Sequence, residues 1–218
     1  MSYAARASLP AEATGTIAEA AGGIAIIVLS IIGLARIDAA PLNSIAVTVL
    51  GAALLTNGGA VVTEYAQLTG DFARSGAPAN GVMSEVVAGA AILVLGILCL
   101  LGVSPEVLAP ISVIAAGAML LISAPMTTQF AEVRWQGTEM QESTRLLMRS
   151  AATSSCGLQM LAGLGAVVLG ILALVAGGPT GTGGYAQLTA VALLVLGAAL
   201  VLSTSMMSGT MLRFFSRR

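Results

Sequence analysis

Glu19, Glu85 and Gln159 are the side chains in this sequence best placed to hold a proton or a small cation, because each sits near the start of a long apolar run. Asn57, Ser123 and Ser203 recur near the ends of the apolar runs that follow. If each run is a helix, about 16 residues at 1.5 Å each carry the chain from Pro41 to Asn57, roughly 24 Å. That distance returns the chain to the side where Glu19 lies, so both sets can meet in one polar layer. Such a layer could act as a vestibule for a small cation or a proton. A charged side chain deep in a bilayer costs about 2.5–3.5 kcal/mol or more, and therefore works or is paired. The same carboxylates also suit a purely structural task. Thr16-Ile17-Ala18-Glu19 reads as a capping box, and a carboxylate in the first turn of a helix contributes about 0.3–1 kcal/mol against the helix dipole. Both readings stand at the level of sequence.

Other candidate chemistry is sparse. Arg6, Arg74 and Arg149 lie 10 to 13 residues before Glu19, Glu85 and Gln159, where they suit contacts with lipid headgroups or the membrane interface, as does Arg213. Methionines gather toward the same side, including Met126, Met140, Met148, Met160, Met206, Met207 and Met211. Copper(I) would favour such thioethers, but there is no His and no paired Cys to complete a site, and Met more often fills packing gaps. No metal site and no cofactor are expected. The sequence has no nucleophile beside a base, no phosphate loop and no haem motif, and without His it lacks the commonest general base. No catalytic residues are expected, and the chain does not read as an enzyme. Cys99 falls inside an apolar run and Cys156 near its border, which argues against a disulfide between them.

The elements that must position these residues are apolar helices. Of 218 residues, 57% are hydrophobic and 9% charged, and the mean hydropathy is +0.96. Uncharged runs of 16, 25, 20 and 25 residues follow Glu19, Asp38, Glu85 and Glu106, and one of 63 follows Arg149. A bilayer crossing takes about 20 residues, so six crossings fit. The composition offers no basic surface for nucleic acid. All nine basic residues are Arg, and only Arg36 falls in a turn opposite the other eight. The positive-inside bias then places both termini in the cytoplasm of a multi-pass inner (plasma) membrane protein. Residues 1–15 lack an apolar core, which makes the first helix its own signal anchor rather than part of a cleaved signal.

Taken in order, the expected helices run from Thr16 to Ala35, Pro41 to Asn57 with a continuation toward Gly70, Ser84 to Gly102, Pro110 to Ala124, Gly157 to Gly177 and Tyr185 to Met211. Pro125 is expected to end or bend the fourth. The polar stretch 139–149 is expected to form an amphipathic helix on the membrane surface. The stretches 16–57 and 82–123 align without a gap, with 15 of 42 positions identical. A third copy begins at Gln159, and the even helices carry GAALL at 51–55, GAMLL at 117–121 and GAALV at 197–201. The expected fold is therefore all-α and membrane-integral, a single domain of three repeated helical hairpins (5–69, 73–135 and 148–215) about a pseudo-threefold axis. Glu19, Gly23 and Ser30 match Glu85, Gly89 and Gly96, and Gln159, Gly163 and Gly170. At about 100° per residue each trio falls on one helix face, a seam along which backbones can approach.

The segment VLGILCLLGVSPEVL followed by GAMLL, with further copies at 24–55 and 166–201, resembles the hairpin repeat of HdeD-type proteins, six-helix bacterial membrane proteins associated with acid resistance. The resemblance implies a fold and brings no catalytic mechanism with it. The Pro-x-acid-x-x-base signature of mitochondrial carriers is absent from the odd helices. The expectation is a non-enzymatic protein, structural or stress-related, whose partners are the lipid bilayer and either further copies of itself or other membrane subunits. The competing expectation is a small-solute or proton channel or transporter with Glu19 and Glu85 in a cytoplasmic vestibule.

Overall fold

The computed structural model describes residues 11–35, 39–69, 78–135, 142–177 and 184–215, with side chains over 17–35, 39–59, 86–123, 157–177 and 184–204. Among the described residues the chain is all-helical. The helices are α1 (Ala11–Leu34), α2 (Ala39–Thr69), α3 (Pro78–Leu100), α4 (Pro105–Trp135), α5 (Glu142–Gly177) and α6 (Tyr185–Phe215). Five of them are long and apolar enough to cross a membrane, and the described apolar stretch of α3, Val86–Leu100, is shorter.

Helix starts differ from those the sequence suggests, for a common reason. Thr16 and Ser84 lie inside α1 and α3 rather than at their caps. Ala11, Glu12 and Ala13 are good helix formers, and α1 extends back through them to Ala11 despite the cost of about 1 kcal/mol at Gly15. Pro78 opens α3, where its fixed φ is already helical and its missing N–H would have had no partner. Pro105 does the same for α4, five residues before Pro110. Pro41 sits in the first turn of α2, where a missing N–H forfeits no helix bond. The residues expected to lie as a separate surface helix join α5, from Glu142 onward, in one helix of 36 residues. Part of that stretch, 139–141, lies outside the described residues. Pro125 does not end α4, which continues to Trp135. Unravelling beside an apolar span would leave several backbone groups unpaired, against about 3 kcal/mol for a proline inside a helix.

The turn between α3 and α4 is set by local chemistry. Gly102 takes a φ of 81°. Its N–H donates to the Cys99 carbonyl at 3.0 Å, and the Val103 N–H donates to the Leu98 carbonyl at 3.1 Å. This is a Schellman closure, which consumes carbonyls the helix end would otherwise leave open. Ser104 follows with a φ of 41°, unusual for a residue with a side chain. Its carbonyl accepts from the Val107 and Leu108 N–H groups at 3.0 Å each, which starts α4.

The packing order sorts the helices into two sets. α2, α4 and α6 touch one another, whereas each odd helix touches only even ones: α1 packs on α2 and α6, α3 on α2 and α4, and α5 on α4 and α6. One continuous apolar cluster joins the inner helices to the outer ones, with Ile26, Val47, Leu50, Ile92, Val113, Leu193 and Leu196 at 0–1% exposure. The outer helices turn an apolar face away from it, including Ile17, Ile24 and Val28 on α1, Val87 and Val94 on α3, and Leu161, Leu164 and Leu172 on α5. Apolar both inside and outside is the pattern of a helix bundle in lipid.

Glycines decide how closely the two sets approach. A Cβ at Gly117 would lie 2.7 Å from the Gly163 carbonyl, and one at Gly163 would lie 2.7 Å from the Gly117 carbonyl. A Cβ at Gly89 would meet the Leu55 amide at 2.7 Å, and one at Gly96 the Thr48 amide at 2.7 Å. Gly23 faces the Gly197 carbonyl at 3.0 Å. The expected seam residues Gly23, Gly89, Gly96, Gly163 and Gly170 thus sit at helix contacts, each against an even helix. Where no hydrophobic force draws helices together, such close backbone approach supplies the dispersion that does.

Candidate functional site

The polar residues singled out from the sequence collect at the end of the bundle opposite the α3–α4 turn, here termed the link end. The structure brings two of them together. Glu19 on α1 is 9% exposed, and the Ser203 hydroxyl on α6 donates to its Oε1 at 3.4 Å. The same hydroxyl also reaches the Leu200 carbonyl at 2.8 Å. It has one proton, so the shorter contact is the stronger and the bond to Glu19 is secondary. The pairing follows from the packing: Gly23, one turn above Glu19, lies against Gly197 and Leu200 of α6.

The other candidates are placed less closely. Gln159 is half-buried on α5, one turn below Gly163, and Ser123 is half-buried on α4, where its hydroxyl reaches the Leu120 carbonyl at 3.4 Å. Asn57 is half-buried near the link end of α2. Glu85 belongs to α3, Arg149 to α5 and Arg213 to α6, with side chains outside the described residues, as are Arg6 and Arg74 entirely. Cys99 is a buried free thiol in α3. Cys156 lies in α5 with its side chain outside the described residues.

A second polar region, at the turn end, was not singled out from the sequence. Asn43 on α2 is 2% exposed, and its Nδ2 donates to the Ala186 carbonyl on α6 at 2.8 Å, joining residues 143 positions apart. Around it the inner helices bury Ser44, Ser112 and Thr189 at 2%, 0% and 0% exposure. Their hydroxyls donate back to carbonyls of their own helix, Ala40, Leu108 and Tyr185, at 2.7–3.0 Å. Back-bonding lets a hydroxyl sit in an apolar interior without an outside partner. The signal available in sequence was an amide, Asn43, within an uncharged run, but its position just after Pro41 reads equally well as part of a helix start.

Between α5 and α6 a groove of about 320 Å³ opens on the outer surface, lined only by aliphatic residues such as Leu161, Ala162, Leu194, Ala198 and Leu202. With no polar group to orient a ligand, it has the chemistry of a lipid-facing furrow. Compared with protein-family models, curated proteins and solved structures, the chain matches none. Among the described residues the fold itself defines the class: a six-helix bundle in which five helices have, by length and composition, the character of membrane spans.

Proposed function

We propose that this chain is a non-enzymatic multi-pass membrane protein that acts structurally, by associating with copies of itself or as a subunit of a larger membrane assembly. The observation that carries this reading is the closed interior beneath the apolar outer faces. Val47, Leu50, Val113, Leu193 and Leu196 belong to one fully buried cluster, and the buried hydroxyls beside it are mostly committed to their own helices. A bundle of this kind presents surface to the membrane rather than a passage through it. The repeated sequence and the sorting into inner and outer helices support three hairpins, 5–69, 73–135 and 148–215, around a pseudo-threefold axis in one domain. The arginine distribution supports cytoplasmic termini in a bacterial inner membrane, and the hairpin motif supports kinship with HdeD-type proteins.

Native mass spectrometry of the protein released gently from its own membrane tests the proposal. A defined oligomer or a retained protein partner is the expected outcome, and a monomer without partners would refute it. Transport is the second reading, favoured by one observation: Glu19 is a buried carboxylate at the link end of a membrane-type helix. On that reading Glu19→Gln combined with Glu85→Gln abolishes a flux into liposomes while the protein stays folded. Absence of flux in the parent protein would remove it.

A further inference from the structure

We propose that the junction of α1, α2 and α6 at the turn end binds one internal water molecule as a structural ligand, held by Ser30, Asn43 and Gln187. Five hydroxyl residues, Ser30, Ser44, Ser112, Thr189 and Thr204, are buried among the described residues. Four of them bond the carbonyl four residues earlier. Ser30, at 0% exposure, is the exception: its Oγ has no hydrogen-bond partner. Asn43 is satisfied on one side only, since Nδ2 is bonded to Ala186 while its Oδ1 is buried and unpartnered. Gln187, the next residue after Ala186, likewise buries an unpartnered Oε1.

The packing around Gly33 brings together the three helices that carry these oxygens. A Cβ at Gly33, one turn beyond Ser30 on α1, would lie 3.6 Å from Asn43 Oδ1 and 3.9 Å from the Ala190 Cβ, so α1 meets α2 and α6 there. The bond from Asn43 to Ala186 closes the third side, between α2 and α6. Two of the oxygens, on Asn43 and Gln187, can only accept, and the Ser30 hydroxyl can donate. A water molecule complements this set: it donates one proton to each amide oxygen and accepts the proton of Ser30. Three hydrogen bonds are what a buried water typically makes. A metal cation fits poorly, because three neutral oxygens neither fill its coordination shell nor balance its charge in an apolar interior. Such a water bridges all three helices where the direct bond from Asn43 joins only two.

The test combines a structure of the full-length protein in lipid nanodiscs, at a resolution that shows ordered water, with unfolding equilibria of Ser30→Ala, Gln187→Leu and the double variant. The expected density lies within hydrogen-bond distance of Asn43 Oδ1 and Gln187 Oε1, and is the same in sodium chloride and in choline chloride. Each single variant is expected to shift the unfolding equilibrium about fivefold, and the double variant little more than the larger single effect, because both act on one ligand. Strictly additive shifts together with no density would overturn the proposal. Density that appears only with sodium would replace the water by a cation and overturn it equally. The density measurement decides the matter even if a variant fails to fold.

Discussion

The α2–α3 junction and the α1–α6 junction hold the bundle together by different means. At the first, glycines meet backbone: Gly51 faces the Leu93 amide, Gly89 the Leu55 amide and Gly96 the Thr48 amide. At the second, Gly23 and Gly197 face each other, but the nearest atom to a Cβ at Gly23 belongs to the Val201 side chain, at 2.8 Å. A polar bond joins α6 to α1 at one end, Ser203 with Glu19, and at the other end a bond from the neighbouring α2 holds α6, Asn43 with Ala186. α2 and α3 are consecutive in sequence, so a short link already keeps them close and packing need only set their distance. α1 and α6 are the two ends of the chain. Bringing them together closes a loop of nearly the whole length, whose entropy rises with the logarithm of that length. Directional bonds at this closure select one partner where apolar faces alone would accept several.

The contrast breaks most sharply at the glycine junction. Gly51→Ala drives a methyl into the backbone of α3, which has no rotamer to yield, and is expected to lower stability by about 3 kcal/mol or more in reversible unfolding from detergent. Removing the amide of α2 that borders the other junction, Asn43→Leu, is expected to cost about 1–2 kcal/mol, since it deletes the bond from α2 to Ala186 of α6 at nearly constant volume. Disulfide trapping between cysteines placed on α2 and α6 should then lose specificity while α2–α3 trapping is unchanged. Ser203→Ala is a gentler probe of the same closure. Its proton is held chiefly by Leu200, so the loss should stay below about 1 kcal/mol. Gly165 completes the scale: nothing lies within 4 Å of a Cβ there. Gly165→Ala is expected to be neutral or to stabilise α5 by up to about 1 kcal/mol through helix propensity.

Much of this fold is legible in the sequence because uncharged runs report directly on helices in lipid. The runs after Asp38 and Glu106 each fall within one helix, the run after Glu19 passes the end of α1 by one residue, the run after Glu85 covers most of α3 and its turn to α4, and α2 ends at Thr69, just before the breaker Gly70. Helix starts are less legible. Thr16, Ser84 and Gly157 mark where polar sequence turns apolar, which is the border of the apolar layer, whereas α1, α3 and α5 begin earlier. In soluble proteins the two borders coincide more often, because caps and the first buried turn lie together. The candidate site was half-legible for a related reason. Equal depth could be counted along the chain and suggested that Glu19 and Ser203 lie on one level, but depth is blind to which helix stands beside which. That Glu19 meets the last helix follows only from how the glycine seams pair. The Asn43–Ala186 bond was not legible, since its acceptor is a backbone carbonyl that carries no signature in sequence.

The α3–α4 turn has a consequence for how the protein is made. Its amides at Gly102 and Val103 and the carbonyl at Ser104 are all bonded within the turn, and the side chains around it, Leu100, Leu101 and Val103, are apolar and exposed. The connection therefore demands almost no solvation of its own. During synthesis α3 and α4 can pass from the insertion machinery into the bilayer as one prefolded hairpin, with Glu106 as the single acidic or basic side chain between Val86 and Ala131 that has to travel with it. The first turn, with Arg36 and Asp38, carries two such groups. The middle of the chain thus enters lipid with a smaller dehydration penalty than the first hairpin.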